Sequence, residues 1–207
     1  MNEEAVTSSE FNAAIRSNHS GGSQQREWKY LDAWDSNPYT LNKEEYKWLV
    51  EKVTSLGIKS VLEFGPGSST WAFLEQECSV WTLENDPEWH DLAVERSREH
   101  WDVHPLLYKV TADLVVPELR DGPFDCAIVD GPNGGDYFKR YSRLCSFELA
   151  RSRTGLIFAH DANRKKEMNS ILYLEDKGWR VVDKCPVSER GFLLLQKQDS
   201  WSPWRPA

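Results

Sequence analysis

Along the chain, short apolar runs alternate with segments whose apolar positions recur every three to four residues. The runs KSVLEF, CSVWTLE, HPLLYKV, FDCAIVD, TGLIFAH, WRVVDKCPV and GFLLLQK are too short for buried helices and lack a polar face, as expected of strands covered on both sides. The segments between them carry helix starts. LNKEEYKWLVEKVTSLG has Asn42 as N-cap, Glu45 three residues on, a Tyr46, Leu49, Val50, Val53 stripe and a terminal Gly57. Ser68 or Ser69 precedes TWAFLEQE, Asp86-Pro87 precedes EWHDLAVERSREH, Asp136 precedes YFKRYSRLCSFELARS, and Asn163 precedes RKKEMNSILYLEDKG. Strand and helix in alternation predict an α/β fold: a Rossmann-like, seven-stranded, mostly parallel sheet with right-handed crossovers and helices on both faces. Only SER separates CPV from GFLLLQ, so the last two strands form a hairpin and one of them runs antiparallel.

This pattern occupies residues 26–198, read as a single domain. Residues 1–25 are rich in Ser, Asn, Gln and Gly and are expected to form a mobile arm; residues 199–207 are a tail. The composition adds exclusions. A formal charge of −8 over 207 residues, with only short basic clusters, argues against nucleic acid as a partner. There is neither a secretory h-region nor an apolar run of membrane-spanning length, which predicts a soluble, cytoplasmic protein. The four cysteines show no C-x-x-C spacing and are read as reduced and structural.

In open parallel sheets, ligands bind at the carboxyl ends of the strands, beside the point where strand order reverses. Those ends carry Glu63 with Gly65-Pro66-Gly67, then Glu84-Asn85, Asp113, Asp130 with Gly131-Pro132, and His160-Asp161. The Gly-Pro-Gly bend admits a ligand close to the backbone and leads into a helix near Ser69 whose free N–H groups favour a polar or anionic group. Thr70 stands where a pyrophosphate-binding turn needs its third glycine. Glu63 is the kind of acid that accepts from an ammonium, and Glu84, nineteen residues past Gly65, the kind that accepts from ribose hydroxyls. A ligand with a ribose and an amino acid end fits better than a dinucleotide, which disfavours a nicotinamide dehydrogenase.

These blocks resemble the class I S-adenosylmethionine-dependent methyltransferases over residues 41–197. VLEFGPGSSTWAFL, TLENDPEWH, FDCAIVDGPNG and IFAHDANRKKE are, more narrowly, similar to the glucuronoxylan 4-O-methyltransferase type of polysaccharide methyltransferases. The segment between the third and fourth strands is much shorter here, and an anchor like the Golgi anchor of the plant enzymes is not expected. The resemblance implies S-adenosyl-L-methionine held by Glu63, Gly65, Pro66, Gly67, Ser69, Thr70, Glu84 and Asn85, with Asp113 at the adenine and Asp130 near the methionine and the acceptor. It implies methyl transfer to a sugar hydroxyl of a glycan; another small-molecule hydroxyl, or a non-catalytic cofactor-binding scaffold, are the alternatives. Asp130, His160, Asp161 and Arg164 form the expected catalytic set, one residue acting as general base and the others orienting it. A variant has Asp130 and Asp161 hold a divalent metal ion.

Each of these residues also has a plain structural reading. Asp130 suits a turn, His160 a core contact, Asp161 or Asn163 a helix cap, Asp113 a solvated loop and Arg164 the surface. Asp86 is read as a cap. Lys139, Arg140 and Arg143 are open to binding an anionic sugar or to lying on a solvated helix face. Trp28, Tyr30, Trp34 and Tyr39 are open to contacting sugars or packing at the sheet's edge. Two Trp in the tail suit a second copy of the chain, a homodimer, without deciding for one.

Overall fold

The computed structural model describes residues 41–97, 103–107, 119, 122–132 and 143–198. The arm, the tail, Asp113, Lys139, Arg140, Asp136 and the four early aromatics lie outside these residues. In chain order the elements are α1 (Lys43–Leu56), β1 (Ser60–Phe64), α2 (Ser68–Leu74), β2 (Ser79–Glu84), α3 (Pro87–Ser97), β3 (Val103–Leu107), β4 (Cys126–Val129), α4 (Leu144–Arg153), β5 (Leu156–Ala159), α5 (Lys165–Glu175), β6 (Trp179–Lys184) and β7 (Leu193–Lys197). All seven expected strands form, in one sheet of order β3-β2-β1-β4-β5-β7-β6. β1 is parallel to both β2 and β4, whereas β7 inserts antiparallel between β5 and β6.

The continuous apolar runs are explained by helices on both faces. Val61, Val80, Ile128, Phe158 and Leu194 point into a core shared with Tyr46, Leu49 and Val53 of α1 and with Trp71 and Phe73 of α2. Their neighbours Leu62, Ala127, Val129, Ile157, Ala159 and Leu195 point the other way, against Phe147 and Ala150 of α4 and Ile171 and Leu174 of α5. The expectation of two covered faces fails at the edge strand β6, where Trp179 is buried but Val181 and Val182 are exposed.

The helix starts divide into those that local chemistry decides and those that it does not. At α1, Asn42 Oδ1 accepts from the N–H groups of Glu44 and Glu45 while Glu45 Oε2 accepts from Asn42 N at 3.0 Å, and Gly57 closes the helix in the left-handed region at φ 64°. Asp86 Oδ1 likewise accepts from Glu88 N at 2.9 Å. The expected cap at Ser68 or Ser69 is not made: α2 starts at Ser68 with Gly67 before it, Ser68 Oγ accepts from Leu41 N, and the Ser69 hydroxyl turns to Glu63. Neither Asp161 nor Asn163 caps α5 with its side chain; Arg164 precedes that helix, and Asn163 Nδ2 donates to Glu189 O in the β6–β7 connection. Among the described residues no helix is long and apolar enough to cross a membrane, and all four cysteines are buried and unbridged.

Candidate active site

Strand order reverses between β1 and β4, whose following loops meet backbone to backbone. Gly65, at φ 87°, donates to Leu83 O at 2.9 Å, and Asp130 N donates to Phe64 O at 3.0 Å. A Cβ on Gly131 would lie 3.0 Å from Gly65 N and 3.2 Å from its Cα, so no side chain fits where the loops cross. Gly67 has the opposite surroundings: a Cβ there would meet nothing within 4 Å. The bend therefore closes onto the protein at Gly65 and opens outward at Gly67.

Glu63 lies behind this bend rather than at its mouth. It is fully buried, and its carboxylate accepts from Ser69 Oγ at 2.6 Å and Thr70 Oγ1 at 2.7 Å; Thr70 Oγ1 in turn accepts from Gly67 N at 3.1 Å. Burial raises its pKa to about 7 against the pull of the Ser69, Thr70 and Thr82 hydroxyls, and the charge of Asp130 adds to the rise. Glu63 thus orients the turn through Ser69 and Thr70; the expected direct hold on an ammonium is not the geometry found. Glu84, at the same sheet edge, has its Oε1 fixed by the N–H groups of Asn85 at 2.6 Å and Asp86 at 2.9 Å. Its Oε2 has no partner among the described residues, and burial raises its pKa. Pro66 and Asn85 are half-buried beside these groups.

Across the edge, Asp130, His160, Asp161 and Arg164 come together as expected, with two residues that the sequence reading assigned elsewhere. Arg143, at φ 57° just before α4, is 3% exposed, which overturns the solvated-face reading. Its guanidinium lies 3.2 Å from Asp130 Oδ1 and 3.0 Å from Asp161 Oδ2 and donates to the His160 carbonyl at 3.1 Å. Glu45, read only as a capping partner, reaches His160 Nε2 with Oε2 at 3.4 Å and accepts from Ser188 Oγ with Oε1. On the other side of the imidazole, Nδ1 is 3.1 Å from Asp130 Oδ1 and 3.8 Å from Asp161 Oδ1. Arg164, 57% exposed, anchors on Asp161 Oδ2 at 2.9 Å.

The electrostatics follow from this packing. Burial disfavours a charged His160, but Asp130 and Glu45 outweigh it and lift its pKa to about 10. His160 is therefore an imidazolium, both of its nitrogens donating to carboxylates, and has no lone pair with which to take a proton. Burial pushes the Asp130 carboxyl upward, yet His160, Arg143 and Arg190 hold it below its ordinary value. Its side chain keeps 26% exposure, and with Oδ1 engaged by both cations, Oδ2 has no partner among the described residues.

One atom each of Asp130, His160 and Asp161 lies within 4.8 Å of the others, a spacing open to a metal ion. The Arg143 guanidinium, however, bridges the same two carboxylates, and Arg164 also holds Asp161, so these carboxylates already have cationic partners. The donor set does not fit a divalent cation.

No protein-family model and no curated protein sequence matches the chain, but solved structures do. An O-methyltransferase from Bacillus cereus in complex with SAH superposes with a TM-score of 0.56 at 17% identity, covering 82% of this chain and 88% of that one. The SAH-bound methyltransferase PaMTH1 from Podospora anserina gives 0.58 at 15% identity over 96% and 100% of the two chains. The fold is that of the class I methyltransferases. A precorrin-6y C5,15-methyltransferase from Geobacter metallireducens shares this class I fold with a TM-score of 0.56 at 15% identity, over 77% of this chain and 90% of that one, so the fold leaves the acceptor open.

Proposed function

We propose that the protein is an S-adenosylmethionine-dependent O-methyltransferase whose acceptor is a sugar hydroxyl of a glycan or polysaccharide. The observation that carries this reading is the Asp130 carboxylate at the end of β4, 26% exposed, with Oδ1 held by His160 and Arg143 and Oδ2 without a partner among the described residues. The turn from Gly65 to Thr70 would hold the amino acid end of the cofactor and Glu84 Oε2 the ribose; Asp113 at the adenine is part of the same proposal. SAH in the Bacillus cereus and Podospora anserina structures supports the choice of cofactor, and the four sequence blocks support the glycan.

When bound, S-adenosylmethionine supplies a methyl group on a sulfonium; this chain must supply alignment and an acceptor for the hydroxyl proton. Asp130 fills that role through Oδ2. His160 and Arg143 hold Oδ1 and fix the direction of the free oxygen. Because those cations also depress its basicity, Asp130 contributes by alignment at least as much as by proton affinity. Asp161 joins Arg143 to Arg164, whose exposed guanidinium borders the acceptor side. No metal step enters.

Calorimetry with S-adenosylmethionine and with NAD(H), followed by transfer of labelled methyl to a glycan panel with and without chelator, tests the reading. We expect binding of S-adenosylmethionine, label on a sugar hydroxyl and no effect of chelator, and D130N lowers kcat roughly 10²–10⁴-fold. Binding of NAD(H) alone, or label only on acceptors that are not sugars, would overturn it.

A further inference from the structure

α1 docks by the buried residues Glu45, Tyr46, Trp48, Leu49, Val50 and Val53, of which Glu45 is the single charged member. The Trp48 ring, one turn on, packs edge-on against Phe158 at 5.9 Å and Phe192 at 4.9 Å between centroids. Phe192 meets the His160 ring edge-on at 5.2 Å. The helix is thus located by aromatic packing on the strands that carry the acceptor side, and it brings a carboxylate with it.

Capping does not explain that carboxylate. A helix start of this type accepts Gln at the third position as readily as Glu, since one oxygen facing the N-cap N–H suffices. Glu45 is 1% exposed and ionised nonetheless: burial raises its pKa, but the hydrogen bond and charge of His160, with Ser188 and Asn42, bring it below its ordinary value. A buried charge needs a counter-charge, and the cation opposite Glu45 is the His160 ring.

We propose that Glu45 is a positioning residue of the active edge: held by α1 and Ser188, its carboxylate fixes the His160 ring at Nε2, and through His160 it aims Asp130. A neutral imidazole would carry a proton on one nitrogen only, and either tautomer would break one of the two contacts. With carboxylates on both sides, both nitrogens donate, and the ring is fixed between α1 and the β4 loop. The other groups around this unit are Asp161, 3.8 Å from Nδ1, Arg143, which donates to the His160 carbonyl, and Arg190, whose charge acts on Asp130. The link spans 115 residues from Glu45 to His160 and 143 to Ser188.

The proposal rests on the methyltransferase reading for its catalytic consequence, and E45Q tests it because it keeps the cap oxygen and removes the charge. The readouts are the ¹⁵N shifts of the His160 ring against pH, S-adenosylmethionine affinity by calorimetry, thermal melting, and kcat on the glycans that accept label from the wild type. In E45Q the imidazolium should lose its proton at least about one pH unit lower. Cofactor Kd should stay within about twofold while kcat falls roughly ten- to a hundredfold, and an H160Q/E45Q double variant should be no slower than H160Q. S188A should shift the ring in the same direction by less. A His160 titration unchanged in both E45Q and S188A, or an E45Q kcat equal to that of an active wild type, overturns the proposal. If the wild type neither binds S-adenosylmethionine nor transfers methyl, the functional reading fails, while the ring shifts still decide whether Glu45 governs His160.

Discussion

Two acids on adjoining strands, Glu63 and Asp130, show how surroundings set a carboxyl's role. Asp130 faces His160 and the Arg143 guanidinium, which hold it below its ordinary value; Glu63 has only hydroxyls for hydrogen-bond partners and a like charge nearby in Asp130, and burial lifts it from 4.5 to about 7. Because the folded protein favours protonated Glu63, stability associated with it is greatest below its unfolded pKa and declines as pH rises through about 7. E63Q, which stays neutral throughout, should therefore match the wild type near pH 4 and become more stable than it by roughly 3 kcal/mol above pH 8. Urea unfolding of both proteins across this range measures the difference, and parallel profiles would refute the burial argument. That Glu63 lies at the Gly65–Gly67 turn was legible from VLEFGPGSST; that its carboxylate is taken up by Ser69 and Thr70 was not, because the hydroxyls read equally well as helix caps.

The loop after β1 performs two tasks with two glycines. Gly131 and Gly65 allow backbones to touch, where a Cβ on Gly131 would lie 3.2 Å from the Phe64 carbonyl carbon. G131A should destabilise the fold by about 1–3 kcal/mol through this overpacking. Gly67 has extended backbone at φ −170° and open space around it, so G67A should leave stability within about 0.5 kcal/mol but weaken S-adenosylmethionine binding roughly tenfold or more by filling the cradle. Melting curves and calorimetry on the pair separate architecture from ligand contact; equal affinity in G67A and wild type would place the cofactor elsewhere. The strands were legible because continuous apolar runs admit few other solutions. Start positions of α2 and α5 were not, since their hydroxyl and amide side chains found partners on other elements.

At the scale of the molecule, the charged cluster ties together α1, the β4 loop, the start of α4, the end of β5 and the β6–β7 connection. Arg143 is its hub, with side chain 2% exposed and contacts to Asp130, Asp161 and the His160 carbonyl. R143M, similar in length but uncharged, leaves those carboxylates facing each other without the guanidinium and should cost about 3–5 kcal/mol. The double variant R143M/D161N should recover part of the loss in chemical denaturation. An R143M protein as stable as the wild type would show that the cluster does not clamp these elements. The hairpin contributes through docking: Ala162 N and Asn163 N donate to Gly191 and Arg190 carbonyls at 2.9 and 2.8 Å, which brings Ser188 to Glu45.

Periodicity determined which segments form strands and helices and their succession along the chain, and the acids at strand ends pointed to the sheet edge proposed as the active one. These are local properties, carried by residues a few positions apart. Tertiary packing alone decided that His160 lies between the carboxylates of Asp130 and Glu45, that Arg143 bridges Asp130 and Asp161, and that Glu45 reaches this cluster from α1. A pKa or an ion pair depends on which charges meet in space and how much water is excluded between them, and those partners lie as far apart as 143 residues along the chain.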